Sequence, residues 1–183
     1  MIALVDYGAG NLTSVRYAFA SLGVEAEATH DPEAVAAADR VVFPGVGAAG
    51  RAMENLKTLG LDAAVCAAAA SGKPFLGICL GMQILFERSD EDGGVDTLGI
   101  LPGRVRRFPR VDGFKVPEIG WNGDYYYVHS YYAEICPYTV LTATHAGVEF
   151  TALVKRGRLW ASQFHPEKSG RLGLEFLKEW LSC

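Results

Sequence analysis

Residues 74–83 read Pro-Phe-Leu-Gly-Ile-Cys-Leu-Gly-Met-Gln, and this stretch decides the fold. The apolar run at 74–78 is typical of a buried strand, and residues 80–86 continue with the spacing of a helix. A strand that passes directly into a helix is the repeating unit of α/β proteins. Cys79 lies at the junction, with a glycine two places away on either side. The stretch therefore predicts a strand of a parallel sheet that carries Cys79 at its carboxyl end.

The chain before this stretch alternates in the same way. It contains two further apolar runs and three helical patterns, which predict strands at Ile2–Val5 and Asp39–Phe43 and helices at Asn11–Leu22, Ala49–Leu59 and Leu61–Ala70. We expect Pro44 and Gly45 to stop the second strand. The order predicts an α/β fold, with a mostly parallel sheet covered by helices on both faces and right-handed crossovers.

After Gly93-Gly94 the pattern changes to strands joined by short turns. The predicted elements are strands at Arg104–Phe108, Tyr125–Tyr132, Phe150–Arg156 and Leu159–Phe164, and an amphipathic helix at Leu172–Leu181. Short connections between strands favour antiparallel pairing, so the C-terminal half is expected to be more antiparallel. No repeat or linker interrupts the chain, which predicts one domain over residues 1–183.

The composition excludes several classes of protein. The chain has 183 residues, a formal net charge of −4 and 50% hydrophobic residues. The hydrophobic content argues against disorder, and the acidic balance argues against nucleic-acid binding. No apolar run approaches the ~20 residues that span a bilayer, so no membrane segment is expected. Residues 1–6 read as a strand and not as a signal peptide, so we expect a cytoplasmic protein.

Cys79 is the first candidate nucleophile. The letters GICLG at 77–81 fit a nucleophile elbow, a sharp turn that lifts one side chain above the sheet and requires small neighbours. A helix N-terminus favours the thiolate form of a thiol. The Leu80 N–H that follows is placed to stabilise an oxyanion. The alternative is a buried cysteine beside glycines that serve helix–sheet packing, and the motif alone leaves both interpretations open.

A thiol nucleophile needs a base and a group that orients the base, and the letters FHPE at 164–167 offer both. In an extended chain, residues two apart project to the same side. His165 and Glu167 can therefore stand side by side, with Pro166 fixing the backbone between them. Taken alone, the pair also fits a surface turn. In a chain that carries a cysteine elbow, the order Cys79, His165, Glu167 indicates a catalytic triad.

Other stretches carry weaker signals. The letters DYGAGN at 6–11 lack the third glycine of a dinucleotide loop, and no P-loop motif occurs. The letters PGVG at 44–47 have two flexible residues able to present backbone N–H groups to an oxyanion. His30 and His145 are expected in loops or turns. The four cysteines show neither zinc spacing nor a disulfide framework, so free thiols and no metal are expected: Cys66, Cys79, Cys136 and Cys183.

The letters GICLGMQ at 77–83 together with HPE at 165–167 resemble the class I glutamine amidotransferases. Further blocks resemble one branch of that family, the glutaminase subunits of imidazole glycerol phosphate synthases. These blocks are DYGAGN at 6–11, PGVG at 44–47, GWN at 120–122, HSYY at 129–132 and FHPEKSG at 164–170. The resemblance runs over essentially the whole chain and implies a flavodoxin-like central sheet of the amidotransferase type.

The resemblance implies hydrolysis of L-glutamine to glutamate and ammonia through a γ-glutamyl thioester on Cys79. His165 would move the protons and Glu167 would orient His165. The family pattern also implies that the Leu80 N–H and the backbone at Val46 and Gly47 hold the oxyanion. By the same match, the substrate would contact Gln83, Glu91, His129, Ser130 and Tyr131. No metal or organic cofactor is implied.

The family implies a heterodimer with a separate (β/α)8-barrel cyclase subunit. The cyclase would receive the ammonia through an internal channel and make imidazole glycerol phosphate and aminoimidazole carboxamide ribonucleotide, in histidine biosynthesis. In such enzymes the glutaminase is nearly idle until the cyclase holds its ligand. A peptide flip in the glycine-flanked oxyanion loop is our hypothesis for that control.

Three residues match positions on the partner-facing surface of the family. They are Asn11, Trp121 and Lys168. Each also has a simpler interpretation: Asn11 as a helix cap, Trp121 as a buried anchor and Lys168 as a solvated charge. The sequence leaves both interpretations of each residue open.

The chain departs from the family pattern at two places. Glu118 stands where the family usually has histidine, which puts any role of that histidine in doubt. The connection between GWN at 120–122 and the tyrosines at 125–127 is much shorter than usual. Intact mass measurement distinguishes a trimmed loop from missing residues.

Two alternative functions remain open from the sequence. A free-standing glutaminase, or another cysteine hydrolase on the same sheet, would hydrolyse glutamine at full rate as an isolated chain. A non-catalytic binding or regulatory subunit would not react with a glutamine-like chloroketone, and the intact Cys79, His165 and Glu167 argue against it.

Overall fold

The first half of the chain alternates strands and helices. The structure is a computed structural model that describes residues 1–183. Its elements in chain order are β1 (Ile2–Val5), α1 (Leu12–Ser21), β2 (Ala26–Thr29), α2 (Pro32–Ala37), β3 (Arg40–Gly45), α3 (Ala49–Thr58), α4 (Leu61–Ala70), β4 (Phe75–Cys79) and α5 (Leu80–Gln83).

The second half consists mainly of strands. They are β5 (Arg88–Ser89), β6 (Val95–Asp96), β7 (Arg104–Arg107), β8 (Glu118–Asn122), β9 (Tyr125–His129), β10 (Tyr131–Ala133), β11 (Thr139–His145), β12 (Val148–Arg156) and β13 (Leu159–Ser162), before the closing helix α6 (Gly170–Leu181). Two 3₁₀ turns, at Glu91–Gly93 and Pro166–Lys168, lie between them.

A seven-stranded sheet organises the molecule in the order β11-β12-β13-β4-β3-β1-β2. The five strands from β13 to β2 are parallel, whereas β12 and β11 are antiparallel to their neighbours. The predicted α/β fold with a more antiparallel C-terminal half is confirmed. Because β3, β4 and β13 are adjacent and parallel, their carboxyl ends meet at one edge, where Gly45 pairs with Cys79.

The sheet has an apolar core on each face because alternate residues of its strands point in opposite directions. In β1, Ala3 and Val5 pack on the face that α2 to α5 cover, and Ile2 and Leu4 pack on the face that α1 and α6 cover. On the second face, Trp180 is fully buried, and its ring lies 5.8 Å from that of Phe19.

Two smaller sheets complete the fold. One has the order β10-β7-β5-β6, and the other is the hairpin β8-β9. In the hairpin, Glu118 pairs with His129 and Asn122 with Tyr125, so the turn is very short. None of the helices has both the length and the apolar character that a membrane crossing requires.

The structure corrects several details of the sequence prediction. The predicted strand Tyr125–Tyr132 is two strands, β9 and β10, which belong to different sheets. Strand β3 continues through Pro44 and Gly45. Proline is tolerated there because the pairing of β3 with β1 ends at Val42, so no carbonyl of β1 requires a hydrogen bond from the N–H that proline lacks. Helix α5 ends at Gln83 instead of Phe86, because the N–H groups of residues 85 and 86 donate to carbonyls three residues back. The unit β2–α2 was not predicted, since β2 is a short edge strand with two exposed residues.

We expect Gly81→Ala to unfold the protein readily. A Cβ at this position would overlap the carbonyl oxygen of Phe43, which is backbone and cannot turn away. Overpacking of this kind costs about 3 kcal/mol or more of the free energy of unfolding. Urea denaturation measures it. Gly72→Ala is the control, because Gly72 has φ +79° and open space, so only a backbone cost of about 1 kcal/mol applies. Equal losses in the two variants would contradict the close-packing argument.

Candidate active site

Cys79 occupies a strained turn between β4 and α5. Its φ is +54° and its ψ is −109°, a conformation that residues other than glycine rarely adopt. The turn is held by tight packing, because a Cβ at Gly77 would lie 3.1 Å from Leu85 and one at Gly81 would overlap Phe43. Strain of this kind persists only where the surroundings enforce it, and it is typical of a nucleophile elbow.

His165 and Glu167 form a buried pair next to this turn. His165 Nδ1 and Glu167 Oε1 are 2.8 Å apart, and both side chains are almost completely buried. His165 follows β13, and Pro166 begins the 3₁₀ turn that contains Glu167. A carboxylate on Nδ1 fixes the ring so that Nε2 is available to the thiol.

Cys79 influences the pKa of the His165 imidazole. Its Nε2 is buried and has no hydrogen-bond partner. Burial lowers the pKa of His165, but the Cys79 thiol and the Glu167 carboxylate outweigh burial and raise that pKa well above its usual range. Protonated imidazole next to a thiol favours the thiolate. The surroundings of the ring therefore favour the protonated form of His165.

The backbone around His165 is tied to strand β9. The His165 N–H donates to the Tyr126 carbonyl at 2.9 Å. The Tyr126 N–H donates to Ser169 Oγ at 3.0 Å, and the Ser169 hydroxyl donates to the His165 carbonyl at 2.7 Å. These three bonds fix the position of the imidazole relative to the hairpin β8-β9.

A cavity of about 220 Å³ opens on Cys79. It brings together the segment after β3, the elbow, the 3₁₀ turn after β5 and the junction of β9 and β10. All the predicted oxyanion and substrate residues line it with Cys79: Val46, Gly47, Leu80, Gln83, Glu91, His129, Ser130 and Tyr131, beside Pro117 and Val128. A larger surface groove of about 500 Å³ lies along α1 and β2, and no cysteine or histidine lines it.

The segment after β3 presents free backbone donors to the cavity. Val46 and Gly47 are exposed, and their N–H groups donate to no other backbone carbonyl. Gly47 has φ +103° and open space around it. A peptide next to such a glycine can change its orientation without a steric penalty. The segment is therefore suited to supply an N–H to an oxyanion on a carbon attached to Cys79.

Glu91 has a structural contact as well as a place in the cavity wall. Its Oε2 accepts a 2.8 Å hydrogen bond from the Ala49 N–H at the start of α3. Burial raises the pKa of Glu91, the Ala49 bond lowers it, and the nearby Asp92 adds to the increase, so that the pKa lies above its ordinary value. The Glu91 carboxylate thus connects the N-terminus of helix α3 to the rim of the cavity.

The sequence prediction missed Gln163 and the contacts of Glu118. Gln163 is fully buried, and its Nε2 donates to Cys79 Sγ at 3.6 Å. A signal existed, because Gln163 precedes His165 by two residues in an extended segment and so shares its side. Glu118 is buried against His129, and His145, which was expected to be a loop residue, ends β11 beside the same carboxylate.

The three residues of the expected partner surface lie outside the cavity. Asn11 is the cap of α1, where its side chain accepts from the Ser14 N–H at 3.2 Å. Trp121 is 62% exposed, so the interpretation as a buried anchor is wrong. Lys168 is exposed, and its ammonium lies 5.8 Å from the ring centre of Tyr126, which in turn packs edge-on against Trp121.

All four cysteines are free. The structure contains no group of three or more His, Cys, Asp or Glu side chains that could hold a metal ion. The chemistry that this geometry supports directly is nucleophilic attack by a thiol with an imidazole as proton carrier.

Comparison with known proteins identifies the family of the chain. The family model described as glutamine amidotransferase class-I matches residues 3–181. Relatives named imidazole glycerol phosphate synthase subunit HisH include one from Methanothermobacter thermautotrophicus, 45% identical over 99% of this chain and 98% of the relative. A second, from Symbiobacterium thermophilum, is 48% identical over 98% of this chain and 92% of its own length.

Solved structures support the fold. One described as a glutamine amidotransferase superposes with a TM-score of 0.77 over 100% of both chains, at 21% identity. The structure of PurLQS from Thermotoga maritima gives a TM-score of 0.70 at 17% identity, over 99% of this chain and 97% of that chain. At these identities the structures support the fold alone.

Proposed function

The chain belongs to the class I glutamine amidotransferase family, and from this premise we propose that it hydrolyses L-glutamine to glutamate and ammonia as the glutaminase subunit of an imidazole glycerol phosphate synthase. The observation that carries the proposal is the arrangement of Cys79, in its strained turn, beside the buried pair of His165 and Glu167.

In the first half of the reaction, Cys79 Sγ attacks the side-chain amide carbon of glutamine. The carbonyl oxygen becomes an oxyanion, which the Leu80 N–H and the backbone at Val46 and Gly47 stabilise. The imidazolium of His165 gives its Nε2 proton to the amide nitrogen. The carbon–nitrogen bond breaks, ammonia leaves, and a γ-glutamyl thioester remains on Cys79.

In the second half, neutral His165 takes a proton from water at Nε2. The hydroxide that forms attacks the thioester carbonyl, and the oxyanion returns to the same donors. The carbon–sulfur bond breaks, so that glutamate leaves and the thiolate is restored beside the imidazolium. Glu167 keeps the ring in one orientation through both halves.

The cavity wall suits the two ends of glutamine. The carboxylate of Glu91 at the rim is an acceptor for the α-ammonium group. Gln83 and the segment 129–131 supply the other contacts. No organic or metal cofactor takes part in these steps.

We propose a barrel-shaped cyclase subunit as the partner, in a cytoplasmic heterodimer. The relatives are named as subunits of a synthase, which supports an assembly in which ammonia passes to a second active site. The cyclase would join the ammonia to a ribonucleotide and produce imidazole glycerol phosphate and aminoimidazole carboxamide ribonucleotide. The proposed docking surface consists of the exposed Trp121, Lys168 and Asn11 and the half-buried Tyr126, which contacts Trp121 and Lys168. We propose no nucleic-acid or membrane partner.

The loop at Val46 and Gly47 is the proposed point of control. A peptide flip at Gly47 would create or remove one oxyanion donor, so the partner could switch the glutaminase on by stabilising one orientation. Structures with and without a cyclase that holds its ligand test this idea. Full activation with an unchanged loop would contradict it.

The decisive experiment combines the protein with a barrel cyclase of this pathway. We expect co-purification as a complex, glutamine hydrolysis that rises when the cyclase binds its ligand, and a mass increase of one glutamyl group on the Cys79 peptide after acid quench. A chain that hydrolyses glutamine at full rate alone, and ignores the cyclase, would instead be a free-standing glutaminase.

A further inference from the structure

Gln163 is a fully buried polar side chain that the proposed mechanism does not use. It follows β13, and its backbone N–H donates to the Ala152 carbonyl of β12 at 2.9 Å. Its side chain reaches the elbow, where Nε2 donates to Cys79 Sγ at 3.6 Å. Its Oε1 accepts a hydrogen bond from Gln83 Nε2 at 2.9 Å. The end of the strand therefore places an amide between a second buried glutamine and the sulfur.

The contacts of Gln83 determine which way the Gln163 amide faces. The Tyr131 carbonyl oxygen lies 2.8 Å from Gln83 Nε2 and only accepts hydrogen bonds, so the end of Gln83 that faces it is the NH₂ group. This NH₂ group gives its second hydrogen to Gln163, so the end of Gln163 that faces Gln83 is the oxygen. Turning the Gln163 amide over would set two NH₂ groups against each other in a buried site. The Gln163 NH₂ group is thus directed at Cys79 Sγ.

The sulfur of Cys79 has a different hydrogen-bond partner in each of its protonation states. As a thiol, it donates to the Val128 carbonyl oxygen at 3.7 Å. A thiolate has no hydrogen to give and a carbonyl oxygen only accepts, so ionisation removes this contact. The Gln163 N–H remains, and its hydrogen bond becomes stronger when the acceptor is charged. The Val128 contact therefore favours the thiol, whereas the Gln163 contact favours the thiolate.

We propose that Gln163 is a further catalytic residue, which donates an N–H hydrogen bond to Cys79 Sγ whenever the sulfur carries negative charge. The proposal rests on the proposed role of Cys79 as the nucleophile. The donor stabilises the thiolate before it attacks the amide carbon of glutamine. It also stabilises the thiolate that leaves when hydroxide cleaves the thioester. Gln83 is the positioning residue that keeps the Gln163 amide in this orientation.

Gln163→Met tests the donor, because methionine has a similar length and no N–H in its side chain. The rate at which iodoacetamide alkylates Cys79 is measured across the pH range, with peptide mapping to separate Cys79 from the other three cysteines. We expect the midpoint of this pH profile to rise by about one pH unit, the tenfold effect of one lost hydrogen bond to a charged group. The rate at high pH should not fall, since a less stabilised thiolate is at least as nucleophilic.

Two other substitutions provide the comparison. Gln83→Met frees the Gln163 amide to take either orientation, so the midpoint should rise by less than in Gln163→Met. The double variant should match Gln163→Met alone, because Gln83 acts through Gln163. Thr151→Val is the matched control, since it also removes a buried polar group, whose hydrogen bonds are with Thr139 and the Glu134 carbonyl. Its midpoint should equal that of the unmodified chain.

The pH profile separates a lost donor from a distorted elbow. The titratable groups around the sulfur are kept in all of these variants, and they are Tyr7, Glu91, His129, His165 and Glu167. An unchanged midpoint in Gln163→Met, with or without a lower rate at high pH, would overturn the proposal. An equal rise in Thr151→Val would overturn it as well. A midpoint in the double variant above that of Gln163→Met would refute the positioning role of Gln83.

The unmodified chain allows a test that no folding defect can obscure. Gln83 and Gln163 are the only glutamines of the chain, so ¹⁵N labelling of glutamine side chains gives one NH₂ group for each, and Gln83→Met assigns them. We expect the NMR shifts of the Gln163 NH₂ protons to change with pH at the midpoint found by alkylation, and to lose this change in Cys79→Ala. Gln163 signals that do not respond when Cys79 ionises would contradict the proposed contact.

These measurements distinguish this proposal from the proposed function. Neither alkylation nor NMR uses glutamine as a substrate, so the donor can be tested even if the protein does not hydrolyse glutamine. A shifted midpoint without glutamine hydrolysis would contradict the proposed function and support the contact. In the assembled synthase, Gln163→Met should lower kcat for synthesis from glutamine about tenfold and leave synthesis from ammonia unchanged.

Discussion

Cys79→Ala in the assembled synthase should abolish synthesis from glutamine and leave synthesis from free ammonia unchanged. Without the sulfur no thioester forms, and loss of a nucleophile of this kind costs roughly 10⁴-fold or more in rate. The cyclase still receives ammonia from solution, so its own chemistry continues. Product formation with each nitrogen source, on the same preparation, measures both rates.

The variant also controls for folding. Alanine has the same backbone restriction as cysteine at φ +54°, so the elbow keeps its strain and its packing. We expect an unchanged melting temperature and normal assembly with the cyclase. Loss of both activities in a complex that assembles normally would show that Cys79 has a structural role.

His165→Ala should have the second-largest effect, a loss of about 10³- to 10⁴-fold in synthesis from glutamine with the ammonia route intact. The ring supplies the proton to the leaving ammonia and removes one from water, and no other side chain takes its place. His165→Gln fills the buried space and is the companion variant if the alanine variant folds poorly. A residual rate within tenfold of the unmodified complex would rule out His165 as the proton carrier.

The pH dependence of Cys79 alkylation is a second measurement on the His165→Ala variant. The raised pKa of His165 keeps the imidazolium present as the pH rises beyond the ordinary value of about 6.5. The cation stabilises the thiolate over that range, so removal of the ring should slow alkylation at pH 7 about tenfold or more. Toward pH 10 the difference should close, because a thiol without a cationic neighbour ionises near pH 8.5. A constant difference across this range would contradict the ion pair.

The sequence predicted the triad because Cys79 lies in one short contiguous motif and His165 and Glu167 lie in another. The glycines around Cys79 flank a sharp turn as expected, whereas Glu167 reaches His165 from a 3₁₀ turn and not from the extended chain that the sequence predicted. The meeting of the two motifs depends on β13 lying beside β4, which no local pattern encodes. Before the structure, the two motifs were joined only by their order in the chain and by the family resemblance.

The parts that the sequence did not predict have physical reasons. Strand β2 carries no apolar run, because as an edge strand it buries only one residue fully. The helix α2 had a usable signal, since Asp31 accepts from the Glu33 N–H and Pro32 follows directly as the first helical residue. The contacts of Glu118 depend on the register of β8 against β9, and β8 itself was not predicted.

The two backbone bonds at Tyr126 have a mechanical consequence. The half-buried Tyr126 packs edge-on against the exposed Trp121, and its backbone accepts a hydrogen bond from the His165 N–H and donates one to the Ser169 hydroxyl. A displacement of the hairpin would therefore reach the backbone that carries the imidazole through two hydrogen bonds, one on each side of Tyr126. Binding at Trp121 and Tyr126 would thus move the proposed proton carrier, and a shift of a fraction of an ångström would change its alignment with the sulfur.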